Sequence, residues 1–144
     1  MKAVFSTLFI LFVAMAMVAC QLKQTERMVL LDEKISEIKV SKSKGFGRMN
    51  EDFILSFKDK KSIDIFEKAI TTAVKQPGKV DIDEPEYDVM VEYKAKEGEL
   101  PTHGIHLWLG KENEKSTFMY ITDDSVYLNS LKMTTELRKL ILSN

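Results

Sequence analysis

The chain has 144 residues, of which 21 are Lys or Arg, 22 are Asp or Glu and one is Cys. The near-neutral charge argues against a nucleic-acid-binding domain, which normally carries a basic face or stripe. A single cysteine excludes an internal disulfide framework and a cysteine-rich zinc module. The length suits one domain, so a multi-domain enzyme is not expected.

The first nineteen residues are mostly apolar, and Lys2 is the only charged residue among them. A short basic start before an apolar run is typical of an export signal, although this run is also close to membrane-spanning length. The residues that follow, Met17-Val18-Ala19-Cys20, resemble the lipobox of bacterial lipoproteins, with Met17 where Leu is usual. The resemblance implies that the first nineteen residues are a signal peptide and that Cys20 receives the lipid. We therefore expect an anchor of palmitate type at the extracytoplasmic face of the cell membrane. The alternatives are an uncleaved single-span anchor and an ordinary secretory signal with a coincidental cysteine.

Residues 20–34 are predicted to be a lipidated N-terminus and tether, and residues 35–144 a single domain. The domain begins with two predicted strands, at 35–41 and 52–57, joined by a glycine-containing turn. A helix follows, with Ser62 placed to cap its start and Pro77-Gly78 to stop it. Its apolar residues repeat at helical spacing: Ile63, Phe66, Ile70, Ala73 and Val74.

After a polar connection, four more strands are predicted, at 87–93, 103–109, 117–121 and 126–128. A C-terminal helix then places its apolar residues on one side: Met133, Leu137, Leu140 and Ile141. This order predicts an α+β fold, with an antiparallel sheet of about five or six strands and two helices packed on one face.

One local cluster is basic and surrounds Gly45-Phe46-Gly47: Lys42, Lys44 and Arg48. Its cations could meet phosphate on lipid headgroups or wall polymer, and Phe46 could stack on a ligand. The alternative is a solvated turn, because a lone Gly-x-Gly without a following helix is a weak phosphate-binding signal.

Alternation in the strand at 103–109 places His106 and Trp108 opposite Ile105 and Leu107. His106 and Trp108 could therefore share a sheet face that the helices leave open, and that face could bind a ligand or partner. Three tyrosines are candidates for the same face: Tyr87, Tyr93 and Tyr120. The alternative is that these aromatic residues fill the core beneath the helices.

The two histidines, His103 and His106, lie three residues apart, and on a strand that spacing sends them to opposite faces. We therefore expect no metal site, and the sequence indicates no cofactor. The sequence has no Gly-x-Ser-x-Gly nucleophile motif, and Cys20 would be consumed by lipid. We expect that the protein is not an enzyme, although a Ser–His pair from distant segments stays open.

Three segments of the domain resemble the small Bacillus-type lipoproteins of the YhfM-like group. They are residues 38–47 (IKVSKSKGFG), 66–70 (FEKAI) and 106–110 (HLWLG), and Tyr127-Leu128 before the last helix extends the resemblance. The resemblance implies a lipid-anchored extracytoplasmic domain and brings no catalytic residues with it. Our leading hypothesis is a non-enzymatic binding or interaction module that contacts an envelope protein or wall polymer. The alternative is a small ligand sensor or carrier that uses an aromatic sheet face.

Overall fold

The computed structural model describes residues 25–94, 98 and 101–143, so the predicted signal peptide and Cys20 lie outside the described residues. In chain order, the elements are β1 (Ile35–Lys42), β2 (Phe53–Phe57), α1 (Lys60–Thr72), β3 (Val74–Lys75), β4 (Tyr87–Tyr93), β5 (His103–Trp108), β6 (Thr117–Tyr120), β7 (Tyr127–Leu128) and α2 (Leu131–Leu142). None of the helices in these residues is long and apolar enough to cross a membrane.

The strands form one antiparallel sheet in the order β2-β1-β4-β5-β6-β7-β3. Val40 pairs with Val89 and Val89 with Ile105, so apolar side chains from three neighbouring strands lie side by side on one face. This arrangement confirms the α+β prediction. The described residues contain seven strands, however, so the expectation of five or six was too low.

The additional strand, β3, has only two residues, and we had assigned Val74 to the preceding helix. The helix ends at Thr72, and Ala73 caps it in an extended conformation. Val74 and Lys75 then pair with Leu128 and Tyr127 of β7. Pairing with a distant strand therefore overrides the helical spacing of the apolar residues.

Both helices cover the same face of the sheet. Asp59, rather than the expected Ser62, caps α1, because its carboxylate accepts a hydrogen bond from the Ser62 backbone N–H at 2.9 Å. Ser130 caps α2 by accepting from the Met133 backbone N–H. The largest buried side chains contributed by the two helices are Phe66, Ile70 and Leu137. They belong to one apolar core with Ile38, Val40, Val89, Val91, Ile105, Leu107 and Phe118 of the sheet.

No helix of the described residues lies on the other face of the sheet, which is covered instead by parts of two loops, 43–52 and 77–86. The loop at 77–86 packs Val80 and Ile82 against a second, smaller apolar cluster of Trp108, Met119 and Val126. The loop at 43–52 places Phe46 against the rings of His106 and Trp108. We call this the helix-free face; it holds the candidate site.

Residues 26–31, which we had placed in the tether, contact the domain. The Lys75 amide donates to the Glu26 carbonyl at 2.8 Å, and Arg27 forms a bridge with Val74. The Tyr120 hydroxyl accepts from the Val29 amide at 2.7 Å and donates to the Val29 carbonyl at 2.6 Å. The domain boundary at residue 35 stays a prediction, but the chain is fixed to the domain before that point.

Candidate functional site

A buried carboxylate–imidazole pair lies at the centre of the helix-free face. Asp88 on β4 and His106 on β5 are cross-strand neighbours, and both are 0% exposed. The Nδ1 atom of His106 lies 2.7 Å from Oδ1 of Asp88. An ionised carboxylate can only accept, so Nδ1 carries the hydrogen and donates it to Asp88. This bond fixes the tautomer and orientation of the ring.

The second oxygen of Asp88 ties the pair to the covering loop. Oδ2 accepts from the Asn50 backbone N–H at 2.8 Å. The Asn50 side chain in turn donates to the Lys42 carbonyl at 2.7 Å, and the Ser41 hydroxyl donates to the Asn50 carbonyl. Both oxygens of Asp88 are therefore satisfied, and the loop at 43–52 is held beside the histidine.

The opposite atom of the ring, Nε2 of His106, has no partner. It is the one buried side-chain nitrogen or oxygen without a hydrogen bond among the described residues. Leaving such a group unsatisfied costs about 1–3 kcal/mol, which native structures usually avoid. With Nδ1 committed to Asp88, Nε2 presents a lone pair, or a hydrogen when the ring is protonated, to whatever lies in front of it. This atom is the reason we regard the pair as a candidate site.

Aromatic rings surround the imidazole. The Phe46 ring lies 5.9 Å from the His106 ring, edge to face, and 5.9 Å from the Trp108 ring. Trp108 lies 6.2 Å from His106 and donates its indole N–H to the Asp83 carbonyl at 2.8 Å. The environment of Nε2 is thus apolar and excludes most water, which strengthens any hydrogen bond that forms there.

Two clefts lie on either side of His106 along β5. The first, which we call the Met49 cleft, has a volume of about 270 Å³, and its lining includes Met49, Met90, Gly104 and Ile121. The second, the Ile82 cleft, has about 390 Å³, and its lining includes Ile82, Asp83, Glu86, Trp108 and Thr117. His106 itself is closed off from solvent between them.

The proposed group of five aromatic and histidine residues is divided between the two faces of the sheet. His106 and Trp108 lie on the helix-free face, as predicted. Tyr87 and Tyr93 are buried in the core on the helix-covered face, and Tyr120 packs against that core. For the three tyrosines the alternative holds, that they fill the core beneath the helices, because cross-strand register aligns them with Ile105, Leu107 and their neighbours.

The basic turn does not gather its cations into one binding patch. Lys44 forms an ion pair with Asp52 at 2.6 Å, and Arg48 is exposed. Lys42 lies over the Tyr87 ring at 4.0 Å and donates to the Tyr87 hydroxyl. Phe46 is the member of this group that reaches the site, because its ring packs against His106. Its side chain is nevertheless 49% exposed.

The two histidines lie on opposite faces of the sheet, as the strand spacing predicts. His103 lies on the helix-covered face, and a 2.6 Å hydrogen bond joins its Nδ1 atom to the Tyr93 hydroxyl. Burial lowers the pKa of His103 because it disfavours the charged imidazolium.

Sequence reasoning did not identify Asp88 or Asn50 as site residues. Asp88 falls within the strand predicted at 87–93. A carboxylate between Tyr87 and Val89 in such a strand was the available signal. Its partner could not be assigned without the register of β4 on β5, which places Asp88 opposite His106.

The fold and the site define a small α+β domain with an antiparallel sheet, two helices on one face and a buried Asp–His pair on the other. The model of the family described as YhfM protein matches residues 32–144, so the chain belongs to the YhfM family. The resemblance to the YhfM-like group is thereby confirmed. No curated protein matches the chain.

A solved structure of a thioesterase-like protein from Clostridium sporogenes has a similar fold. The two align with a TM-score of 0.59 at 16% sequence identity, over 81% of this chain and 100% of the other. At this identity the likeness shows a shared fold. Our expectation that the protein is not an enzyme is therefore withdrawn, because a protein described as thioesterase-like has this fold.

Proposed function

We propose that the protein is a lipid-anchored extracytoplasmic protein whose domain binds a small ligand at the Asp88–His106 pair. One observation carries this proposal: Nε2 of His106 is buried and lacks a partner, while Asp88 fixes the rest of the ring. A ligand that donates a hydrogen bond to Nε2, or accepts one from it, would remove the penalty of the unsatisfied atom. Its apolar part would lie against Phe46 and Trp108.

Trp108 supplies a direct measurement, since it is the only tryptophan in the chain and lies 6.2 Å from His106. We expect a cell-envelope metabolite to change its fluorescence with saturable binding, and His106→Gln to weaken that binding at least tenfold. Ile54→Ala is the control, because Ile54 is 54% exposed on β2 and lines neither cleft. A ligand that binds the His106 and Ile54 variants equally well would contradict the proposal.

A second candidate function is hydrolysis of an ester or thioester, which the Asp–His pair favours. Neutral His106 could take a proton from water at Nε2 while the water oxygen attacks the carbonyl carbon. The same proton would then pass to the departing alcohol or thiol. The fold shared with a thioesterase-like protein makes such substrates the first to assay. We expect His106→Gln to reduce any hydrolysis at least a hundredfold and Ile54→Ala, at an exposed position that lines neither cleft, to leave it unchanged. Hydrolysis that survives in His106→Gln would exclude this candidate.

Attachment to the membrane through Cys20 is proposed from the apolar leader and the sequence Met17-Val18-Ala19-Cys20. Growth with labelled palmitate should label the full-length protein, and Cys20→Ala should abolish the label. Labelling that persists in Cys20→Ala would contradict attachment at this residue.

Anchoring would place the site beside other envelope proteins and wall polymer, and we propose that the ligand or partner comes from this layer. Capture with the detergent-solubilised native protein should enrich a partner or glycan over a lipid-anchored control. His106→Gln should lower that enrichment if the partner uses the site. The absence of any enrichment over the control would count against an envelope partner.

A further inference from the structure

Three alternate residues of β5 face the helix-free side, and each lies in a different part of the candidate site. Gly104 lines the Met49 cleft, His106 is covered, and Trp108 lines the Ile82 cleft. We propose that these parts form one binding groove along β5, closed over His106 by the Phe46 side chain. The groove would take an extended molecule with a hydrogen-bonding group at its middle and an apolar end. This inference rests on the proposed ligand site and adds its shape and the class of ligand.

The Met49 cleft is suited to the apolar end of such a molecule. Met49, Met90 and Ile121 contribute apolar side chains to its lining, and polar residues lie at its margin: Glu51, Thr102, His103, Tyr120 and Thr122. Gly104 keeps it open, because a Cβ at this position would lie 2.8 Å from Cδ1 of Ile121 and 3.3 Å from Cε of Met49. Any side chain at 104 would therefore push those groups aside or occupy their space.

The Ile82 cleft is suited to a more polar end. Its lining includes the apolar surface of Trp108 and Ile82, together with charged side chains. The charged residues are Asp83, Glu86, Lys111, Glu114 and Lys115. The distance along the strand from Gly104 to Trp108 is roughly 13 Å at about 3.3 Å per residue. A ligand that reached both clefts would therefore pass directly over Nε2 of His106.

The Phe46 side chain is the part of this groove that can rotate away from His106. It lies between Gly45 and Gly47, whose φ angles of +104° and +77° are accessible mainly to glycine. The ring is 49% exposed, although it packs against both His106 and Trp108. The loop is held on either side by Ser43 and Asn50, which bond to Glu86 and Asp88. Rotation of the ring would uncover the histidine without breaking these bonds.

The first test measures access to the imidazole with diethyl pyrocarbonate, which modifies an unprotonated histidine nitrogen. Mass spectrometry of the modified full chain would follow His106 and His103 separately. We expect Phe46→Ala to raise the modification rate of His106 at least tenfold and to leave that of His103 within twofold. Ile54→Ala, which truncates a 54%-exposed apolar residue on β2, is the matched control and should change neither rate. An equal rise at both histidines, or no rise at His106, would overturn the closure by Phe46.

The second test measures the affinity of the groove for Nile red, an extended uncharged dye. Phe46→Ala should bind it at least fivefold more tightly than the wild type, and adding Gly104→Ala should reverse most of that gain. If adding Gly104→Ala leaves the affinity of Phe46→Ala for the dye unchanged, the two clefts do not form one groove. If a ligand binds the wild type in a His106-dependent manner while both Phe46→Ala tests fail, the proposed ligand site stands and the groove does not.

Discussion

The two faces of the sheet differ in what they bury. The helix-covered face buries an apolar core, and the polar tips of Tyr93 and Tyr120 at its margin are hydrogen-bonded. The helix-free face buries Asp88 and His106 under two loops and leaves one nitrogen unsatisfied. Apolar burial is the main source of stability, whereas an unsatisfied polar atom lowers it. Stability therefore comes mainly from the helix-covered face, and the proposed binding site lies on the helix-free face.

The largest effect is expected from a truncation in the helix-covered core. Phe66 of α1 is 0% exposed and lies 5.4 Å from the ring of Phe57. Phe66→Ala should lower the free energy of unfolding by about 3–5 kcal/mol, because it removes apolar contacts and leaves a cavity. Urea unfolding measures this change. Ile54→Ala, at an exposed position, should stay within about 0.5 kcal/mol of the wild type. Similar losses of unfolding free energy in the two variants would contradict the claim that the helix-covered core is the main source of stability.

The second largest effect is expected from a substitution in the buried Asp88–His106 pair. Asp88→Asn keeps the size of the side chain but leaves one oxygen to accept from both Asn50 N–H and His106 Nδ1. We expect a loss of about 1–3 kcal/mol, because one buried hydrogen bond must be lost or rearranged. The ¹⁵N chemical shifts of His106 should report a changed tautomer. Asp81→Asn, an exposed control in the loop at 77–86, should change neither quantity. Unchanged His106 shifts in Asp88→Asn would show that the pair does not fix the ring.

The helix-covered face could be predicted from the sequence, because its strands alternate and its helices repeat apolar residues at helical spacing. Ile105 and Leu107 point inward on these grounds alone, and His106 points away. The two-residue strand β3 could not be predicted in the same way. Its conformation comes from pairing with β7, whereas Val74 itself continues the helical pattern of Ile70 and Ala73.

The site on the helix-free face depends on tertiary contacts that no local pattern contains. Asp88 meets His106 through the register between β4 and β5, and Phe46 reaches both aromatic neighbours through the path of its loop. The sequence predicts on which face of the sheet His106 and Trp108 lie, and it predicts the turn that contains Phe46. It could not supply the carboxylate partner, because several acidic residues precede β4 and only the register selects one.

A smaller effect is expected where the N-terminal segment meets the helix-covered face. Tyr120→Phe removes both hydrogen bonds between the Tyr120 hydroxyl and Val29. Because both hydrogen bonds are exposed, we expect a loss of only about 1–2 kcal/mol for the two together. Hydrogen exchange of the Val29 amide should accelerate, while the amides of β4 should change only by the global loss of stability. Tyr127→Phe provides a control in a buried tyrosine that does not contact Val29. Exchange at Val29 that matches the wild type would mean that this contact does not hold the segment.

The smallest effect concerns His103 and depends on pH. Its folded-state pKa lies below the ordinary value of about 6.5, because burial disfavours the imidazolium. Between the folded and unfolded pKa values the unfolded chain binds more protons, so stability falls as the pH drops through this window. Each unit of lowering corresponds to about 1.4 kcal/mol. Unfolding midpoints measured from pH 7.5 downward should therefore fall more steeply in the wild type than in His103→Gln. Identical pH profiles would mean that protonation of His103 costs the folded state nothing, and that the helix-covered face tolerates a charge which its apolar packing should exclude.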